Sequence, residues 1–358
     1  MKNKLLLIAL LVSLRGFSQG PAIRNVFIVT LDGIRWQEVF NGPDPGLVNA
    51  PVYTPDTGLM KMLYYDPAVE VSRAKLMPFF WNVLARKGRL YGNRLEGNRV
   101  NVSNAYRFSY PGYNEILTGY TDLSVNSNRP VENENINILE YLNSLDGFRS
   151  RVAAFTSWNI FPYILNQARN GLPVYSGYDS IPADGSRDME AFDTLQQGYA
   201  NPLSDTRLDA LTFMAAFSYI RTRHPRVVLV SLGECDEDAH RGRYDQYLQH
   251  LNEADHLVGE LWSYLQSTPG YKDQTVLLIT TDHGRGKKTG TWTRHGRFIR
   301  GSADSWLAVI GPGIDPTPDT NERGTIYAKQ IAATIARILG TGFVANHPVA
   351  RAIHLTDR

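Results

Sequence analysis

The chain has 358 residues, 43% of them hydrophobic and 20% charged, with a formal net charge of +2. This is a globular composition with enough apolar residues for a sizeable core, and the length suits one large domain or two small ones. Near-neutral charge without long Lys/Arg runs gives no nucleic-acid-binding surface and no polybasic membrane patch, and the single cysteine, Cys235, excludes an intrachain disulfide.

Residues 1–19 carry two lysines, an apolar run at 5–14 and small polar residues around Ser18. That is the layout of a secretory signal peptide cleaved near Ser18 or Gln19, with an apolar run too short to span a bilayer. The remainder, 20–358, is read as one exported domain, periplasmic or secreted. No later segment approaches the ~18 uninterrupted apolar residues of a spanning helix, so the mature chain is expected to have no membrane span.

Apolar, β-branched runs follow at 26–31, 152–156, 227–232, 276–281 and 306–310, and helical periodicity appears at 208–223, 244–266 and 326–339. In the second helical stretch Leu248, Leu251, Ala254, Leu257, Val258, Leu261 and Leu265 recur at helical spacing. Nearly continuous hydrophobicity in the strands suits an α/β fold, a doubly wound, mostly parallel central sheet with helices on both faces. Two stretches, 42–74 and 166–205, are rich in Pro, Gly, Asp and Ser and are read as loop insertions in the single domain.

Ligands of open α/β sheets bind at the carboxyl ends of the strands. Asp32 stands there after VFIVTL, Asp236 and His240 after VVLVSLGEC, and Asp282 and His283 after VLLITT, with His295 twelve residues beyond His283. An aspartate after a strand is often a helix cap, and a lone histidine is seldom a metal ligand. Three aspartates and three histidines converging on one edge, however, suit two divalent cations; the imidazoles favour zinc, and manganese is compatible with the donor types. Ser109, in FSYPGYNEILTG, precedes a proline placed for a first helical position. It is read either as an N-cap or as a nucleophile at a helix N-terminus, where backbone N–H groups receive an anionic phosphoryl or sulfuryl group and a cation lowers the hydroxyl pKa.

With these residues assembled, the chain resembles the alkaline phosphatase superfamily over most of its length, from Asp32 to His295. Asp32 in VTLDGIRW resembles the superfamily's first metal aspartate. SYPGYNEILTG resembles the nucleophile segment of the nucleotide pyrophosphatase/phosphodiesterase branch, ECDEDAH its Glu-Pro-Asp-x-x-Gly-His, Asp282-His283-Gly284 its Asp-His-Gly, and His295-Gly296 its final His-Gly. The resemblance implies one metal held by Asp236, His240 and His295, and another held by Asp32, Asp282 and His283, with Ser109 bridging or facing the pair. It implies in-line attack by Ser109 on a small-molecule phosphate ester, a phosphoseryl intermediate, and its hydrolysis by activated water.

Departures bear on substrate. Gly112 and Tyr113 stand where the branch has Asn and His. Asn128, with Asn126 as alternative, is the candidate for the branch's asparagine that contacts a non-bridging oxygen. Related monoesterases grip the phosphate with a Lys/Arg pair, expected after the strand at 152–156, where this chain has Ser157, Trp158 and Asn159. A phosphodiesterase is therefore favoured over a phosphomonoesterase. A sulfatase is the nearest alternative, but Tyr113 occupies the arginine position of its C/S-x-P-x-R modification motif. A phosphoglycerate mutase-like phosphomutase shares the short interval before the last histidine, and a non-enzymatic metal-binding protein would lack part of the constellation. The segment between Arg285 and Arg294 is read as a solvated cationic turn.

Overall fold

The computed structural model describes residues 23–181, 187–200, 204–317 and 323–355. The signal-like segment 1–19 lies outside the described residues, as do parts of the stretch at 166–205. Among the described residues ten strands run in chain order: β1 (Asn25–Leu31), β2 (Arg89–Tyr91), β3 (Asn98–Asn101), β4 (Val152–Thr156), β5 (Val174–Ser176), β6 (Val227–Leu232), β7 (Thr275–Thr280), β8 (Asp304–Ser305), β9 (Leu307–Ile310) and β10 (Gly324–Tyr327). Seven of them form the central sheet, ordered β2-β9-β7-β1-β6-β4-β5, and β10-β3-β8 make a small second sheet. Within the central sheet β7, β1, β6, β4 and β5 are mutually parallel, and β9 runs antiparallel between β2 and β7.

Alternation along each strand divides the core in two. Phe27, Val29, Val228, Val230, Leu277 and Ile279 pack on one face; Val26, Ile28, Val227, Leu229, Val276 and Leu278 pack on the other. Because every strand residue from β1, β6 and β7 is buried, these sequences read as unbroken apolar runs. The helices that cover the sheet and carry side chains to its carboxyl edge are α1 (Ser109–Thr118), α2 (Asp209–Arg223), α3 (Glu234–Arg241), α4 (Tyr244–Ser267) and α5 (Ile331–Ile338). Helices α2 and α4 contribute to the first face, α1 and α5 to the second. Among the described residues no helix is long and apolar enough to cross a membrane.

Three segments differ from their sequence patterns. The periodic stretch at 326–339 is α-helical only from Ile331, after a 3-10 turn at Ala328–Gln330; its first two residues, Ile326 and Tyr327, end the extended β10, paired in parallel with β3. β-Branched and aromatic residues there follow strand preference, and the Gln330 side chain accepts from Tyr327 N (2.9 Å), fixing where the coil begins. The stretch at 42–74 folds into Pro45–Val48, Thr57–Tyr64 and the start of Val69–Leu76, with Asp44 and Asp56 accepting from Gly46 N and Leu59 N as N-caps. The stretch at 166–205 supplies the edge strand β5.

Helix α4 buries Leu248, Leu251, Ala254, Val258, Leu261 and Leu265, but its apolar stripe also holds Asp255. The Asp255 carboxylate accepts from Phe79 N (2.7 Å) and Phe80 N (2.9 Å), while burial pushes its pKa up to about 7. Asp255→Ala leaves two backbone donors without an acceptor and is expected to lower unfolding stability by about 1–3 kcal/mol, read from the urea midpoint at constant slope. An unchanged midpoint would show that this anchor contributes nothing.

Candidate active site

Parallel strands β1, β6 and β7 end at one edge, and each hands a carboxylate to the same pocket. Asp32 follows Leu31 directly; Asp282 follows β7 after Thr281; Asp236 lies in the first turn of α3, entered from β6 through Gly233. In α3 the i, i+4 spacing stacks His240 over Asp236 on one face, with Nε2 3.0 Å from Asp236 Oδ2. His295 returns from the loop after β7: its Nε2 is 3.1 Å from His240 Nε2, and its ring stacks on His283 with centroids 4.0 Å apart. The structure thus brings together two triads, Asp236–His240–His295 and Asp32–Asp282–His283, each with its donor atoms within 4.8 Å of one another.

Ser109 is the first residue of α1, and the extended Phe108 is its N-cap. The serine hydroxyl makes no capping bond, which removes the N-cap reading; Oγ lies 3.3 Å from both Asp32 Oδ1 and His283 Nε2. Pro111 sits in the third helical position rather than the first, still in the turn whose N–H groups have no intrahelical acceptor. Fully buried Glu115 anchors the loop before α1 by accepting from Ser103 N and Asn104 N, and Asn104 Oδ1 accepts from Tyr106 N and Arg107 N. Arg107 is thereby held at φ 59°, with its carbonyl 3.3 Å from His295 Nδ1. His283 Nδ1 similarly faces Gly284 O at 3.1 Å, so donation from Nδ1 in both rings leaves Nε2 as a lone-pair donor toward the pocket.

Charge is concentrated here. Burial and the charges of Asp282 and Asp236 push Asp32 well above the usual carboxylate range, and burial with Asp236 pushes Asp282 up to about 8. Burial acts upward on Asp236 too, but the Arg285 guanidinium and the His240 contact hold it well below that range. Burial keeps His283 neutral, well below its ordinary value, and holds His295 at about 4. Asp282 Oδ1 accepts from Gly33 N (3.1 Å), whereas its Oδ2 is buried with no hydrogen-bond donor and lies 3.4 Å from the bare His283 Nε2. Without a cation this carboxyl keeps its proton to high pH; once ionised it faces the bare imidazole nitrogens acceptor to acceptor, which is unfavourable unless a cation lies between them, so the residues present fit divalent metal ions.

Asn128 is exposed at the pocket rim, and Asn126 is not among the pocket's lining residues. Asn128 Oδ1 accepts from Tyr110 N (3.0 Å), next to the nucleophile candidate. Two supporting residues escape a sequence reading. Tyr113, where the branch has a histidine, donates to Asp32 Oδ2 at 3.1 Å. Arg285 is fully buried rather than part of a solvated turn: it pairs with Asp236 and reaches His240 Nδ1 (3.4 Å) and Thr293 O (2.7 Å). The sequence signal for it is Gly284 and Gly286 on either side, since a Cβ at either would lie 2.2 or 2.1 Å from a backbone oxygen. Lys287, Lys288 and Arg294 in the same segment are exposed, as a solvated turn requires.

Residues 52–308 match the type I phosphodiesterase / nucleotide pyrophosphatase family. The chain belongs to that family. The matched span contains Ser109, Asp236, His240, Asp282, His283 and His295, and Asp32 lies ahead of it. No curated protein matches the chain. Among solved structures, a multiply substituted alkaline phosphatase PafA is similar at 10% identity and TM-score 0.62, covering 93% of this chain and 98% of that one. A 2-O GAG sulfatase is similar at 12% identity and TM-score 0.53 (90% of this chain, 72% of that one). The phosphonate monoester hydrolase of Agrobacterium radiobacter is similar at 14% identity and TM-score 0.51 (88% and 74%). These likenesses show the alkaline phosphatase-like fold. As a member of that family the chain is a phosphoric ester hydrolase.

The raised carboxylates make a pH prediction. A folded-state pKa raised to about 8 stabilises the metal-free protein below the ordinary carboxylate value, and this stability is lost as pH rises through the folded value. Chelated protein is therefore expected to melt lower at about pH 8.5 than at about pH 7, while added Zn²⁺ or Mn²⁺ raises Tm more at the higher pH, where the Asp282 proton is already released. Calorimetry in matched buffers checks both; a metal-induced shift that shrinks as pH rises would contradict the assignment of Asp282.

Proposed function

We propose that the protein is an exported two-metal phosphodiesterase acting through a phosphoseryl intermediate on Ser109. Support for export is the signal-like sequence at 1–19. Support for a diester is the pocket's composition. Its space of about 190 Å³ is lined by Asp32, Ser109, Asn128, Trp158, Asp205, Thr206, Gly233, Asp236, Glu237, His240 and His295, with no Lys or Arg among them. The Arg285 guanidinium, beside the site, is buried and committed to Asp236. A monoester dianion would bring a second negative charge to a wall carrying Asp205 and Glu237; a diester brings one.

The chain's own groups divide the work. Asp236, His240 and His295 would hold one divalent ion and Asp32, Asp282 and His283 the other, and when bound these ions supply the positive charge that lowers the serine pKa and offsets charge on the transferring phosphoryl group. Ser109, fixed at the start of α1, carries its Oγ at the pocket wall beside Asp32 and attacks phosphorus in line with the departing alcohol. Asn128, oriented through its Oδ1 bond to Tyr110 N, presents its Nδ2 donor to a non-bridging oxygen. Tyr113 and Arg285 restrain Asp32 and Asp236 through the reaction. Water then attacks phosphorus, the Oγ–phosphorus bond breaks with a proton returning to Oγ, and the phosphate monoester leaves.

Rates on a phosphodiester, a phosphomonoester and a sulfate ester of one chromogenic alcohol test the reading. The diester is expected to be fastest; Ser109→Ala is expected to lose about 10³-fold or more in kcat, and Asn128→Ala about tenfold in kcat/KM. A fastest sulfate ester, or full activity in Ser109→Ala, would overturn it.

A further inference from the structure

The amino ends of the same strands carry a second constellation. A pocket of about 390 Å³ there is lined in part by Arg24, Arg151, His224 and Arg226. Strand pairing sets these arginines side by side: Val227 of β6 pairs with Val152 of β4 and with Val26 of β1, so Arg151 and Arg226 enter neighbouring strands at one level, with Arg24 at the start of the next. The register is fixed by Arg226 N donating to Arg151 O (2.8 Å) and Val26 N donating to Arg226 O (2.9 Å).

Like charges on adjacent strands are unfavourable, and no described carboxylate offsets them. Among the described residues no ion pair joins Arg24, Arg151 or Arg226 to a carboxylate, and Asp146 pairs with Arg149 instead. Burial, with the charges of Arg151 and Arg24, pushes Arg226 below its ordinary value. Arg226 is nevertheless held in place: Nε donates to Arg24 O (2.9 Å), Nη1 to Gly147 O (2.7 Å), and the guanidinium lies 3.9 Å over the Phe148 ring. His224 reaches the same pocket from a left-handed backbone position, φ 46°, that L residues seldom adopt. An oriented guanidinium with two unpaired neighbours and an imidazole is a donor set for a multiply charged tetrahedral oxyanion, whose several oxygens match several guanidinium forks.

We infer that this pocket binds a phosphate group through Arg24, Arg151 and Arg226, at a site separate from the one containing Ser109. The phosphate is either free in solution or carried on a lipid headgroup, and the site is independent of the diesterase reading. The test uses metal-loaded full-length protein and its Arg24→Gln/Arg151→Gln variant, in which two exposed side chains change and hydrolysis of a chromogenic diester serves as a control for folding. Inorganic phosphate is titrated by calorimetry, and phosphatidylcholine vesicles with or without phosphatidic acid are tested by co-sedimentation. If the ligand is free phosphate, the variant loses one of two classes of phosphate site, about tenfold or more in affinity, and keeps the other. If it is lipid-borne, capture by phosphatidic acid vesicles falls about tenfold in the variant while the phosphate isotherm stays the same. Identical isotherms and identical vesicle capture in the two proteins would overturn the inference.

Discussion

Three carboxylates, Asp32, Asp236 and Asp282, crowd into one largely buried volume beside Ser109, and their mutual repulsion is the constraint to which the rest of the site responds. Two unit charges at 4 Å repel by about 4 kcal/mol at an effective dielectric near 20, so such a group cannot stay ionised without nearby positive charge. Arg285 supplies one such charge at Asp236; Tyr113 and Gly33 N supply donors to Asp32 and Asp282. What remains uncompensated, Asp282 Oδ2 and the bare imidazole nitrogens, is a coordination set for cations.

The sheet is the device that meets this constraint repeatedly. Parallel pairing of β7, β1 and β6 brings their carboxyl ends to one level, so the residues just after β1 and β7, and the first turn of the helix after β6, fall into the same site. Close packing beneath leaves little freedom. A Cβ at Gly33 would lie 2.3 Å from Asp236 Oδ1, and one at Gly112 would lie 2.5 Å from Asp282 O. These two glycines let the loop after β1 and helix α1 approach the ligands closely. Gly112 therefore stands where a larger side chain cannot, a physical reason for its departure from the family's asparagine.

Much of this was legible because strand burial and strand ends leave clear marks. Val227 to Leu232 reads as a buried strand from its apolar run alone, and once strands are parallel the acids and histidines after them must converge. Ser109 was legible by its place before an apolar helix, although whether it caps that helix or faces a ligand needed coordinates. Arg285 was not: its flanking glycines mark close packing only once their surroundings are known, and its partner Asp236 is far off in sequence. Asp255 was hidden in the same way, since the donors it satisfies belong to the distant backbone at Phe79 and Phe80. The start of the 326–339 stretch misled because its period suits a helix while its pairing partner, β3, lies far away in the chain.

The fold is shared by enzymes named for phosphate, phosphonate and sulfate esters, so the chemistry of this chain rests on its site. We propose that each triad holds its own divalent ion beside Ser109. Anomalous diffraction from crystals of active, metal-loaded protein, collected above and below the metal absorption edge, addresses it most directly. Two peaks are expected, one among Asp236, His240 and His295 and the other among Asp32, Asp282 and His283. Active protein with a single peak, or with none at these residues, would contradict it.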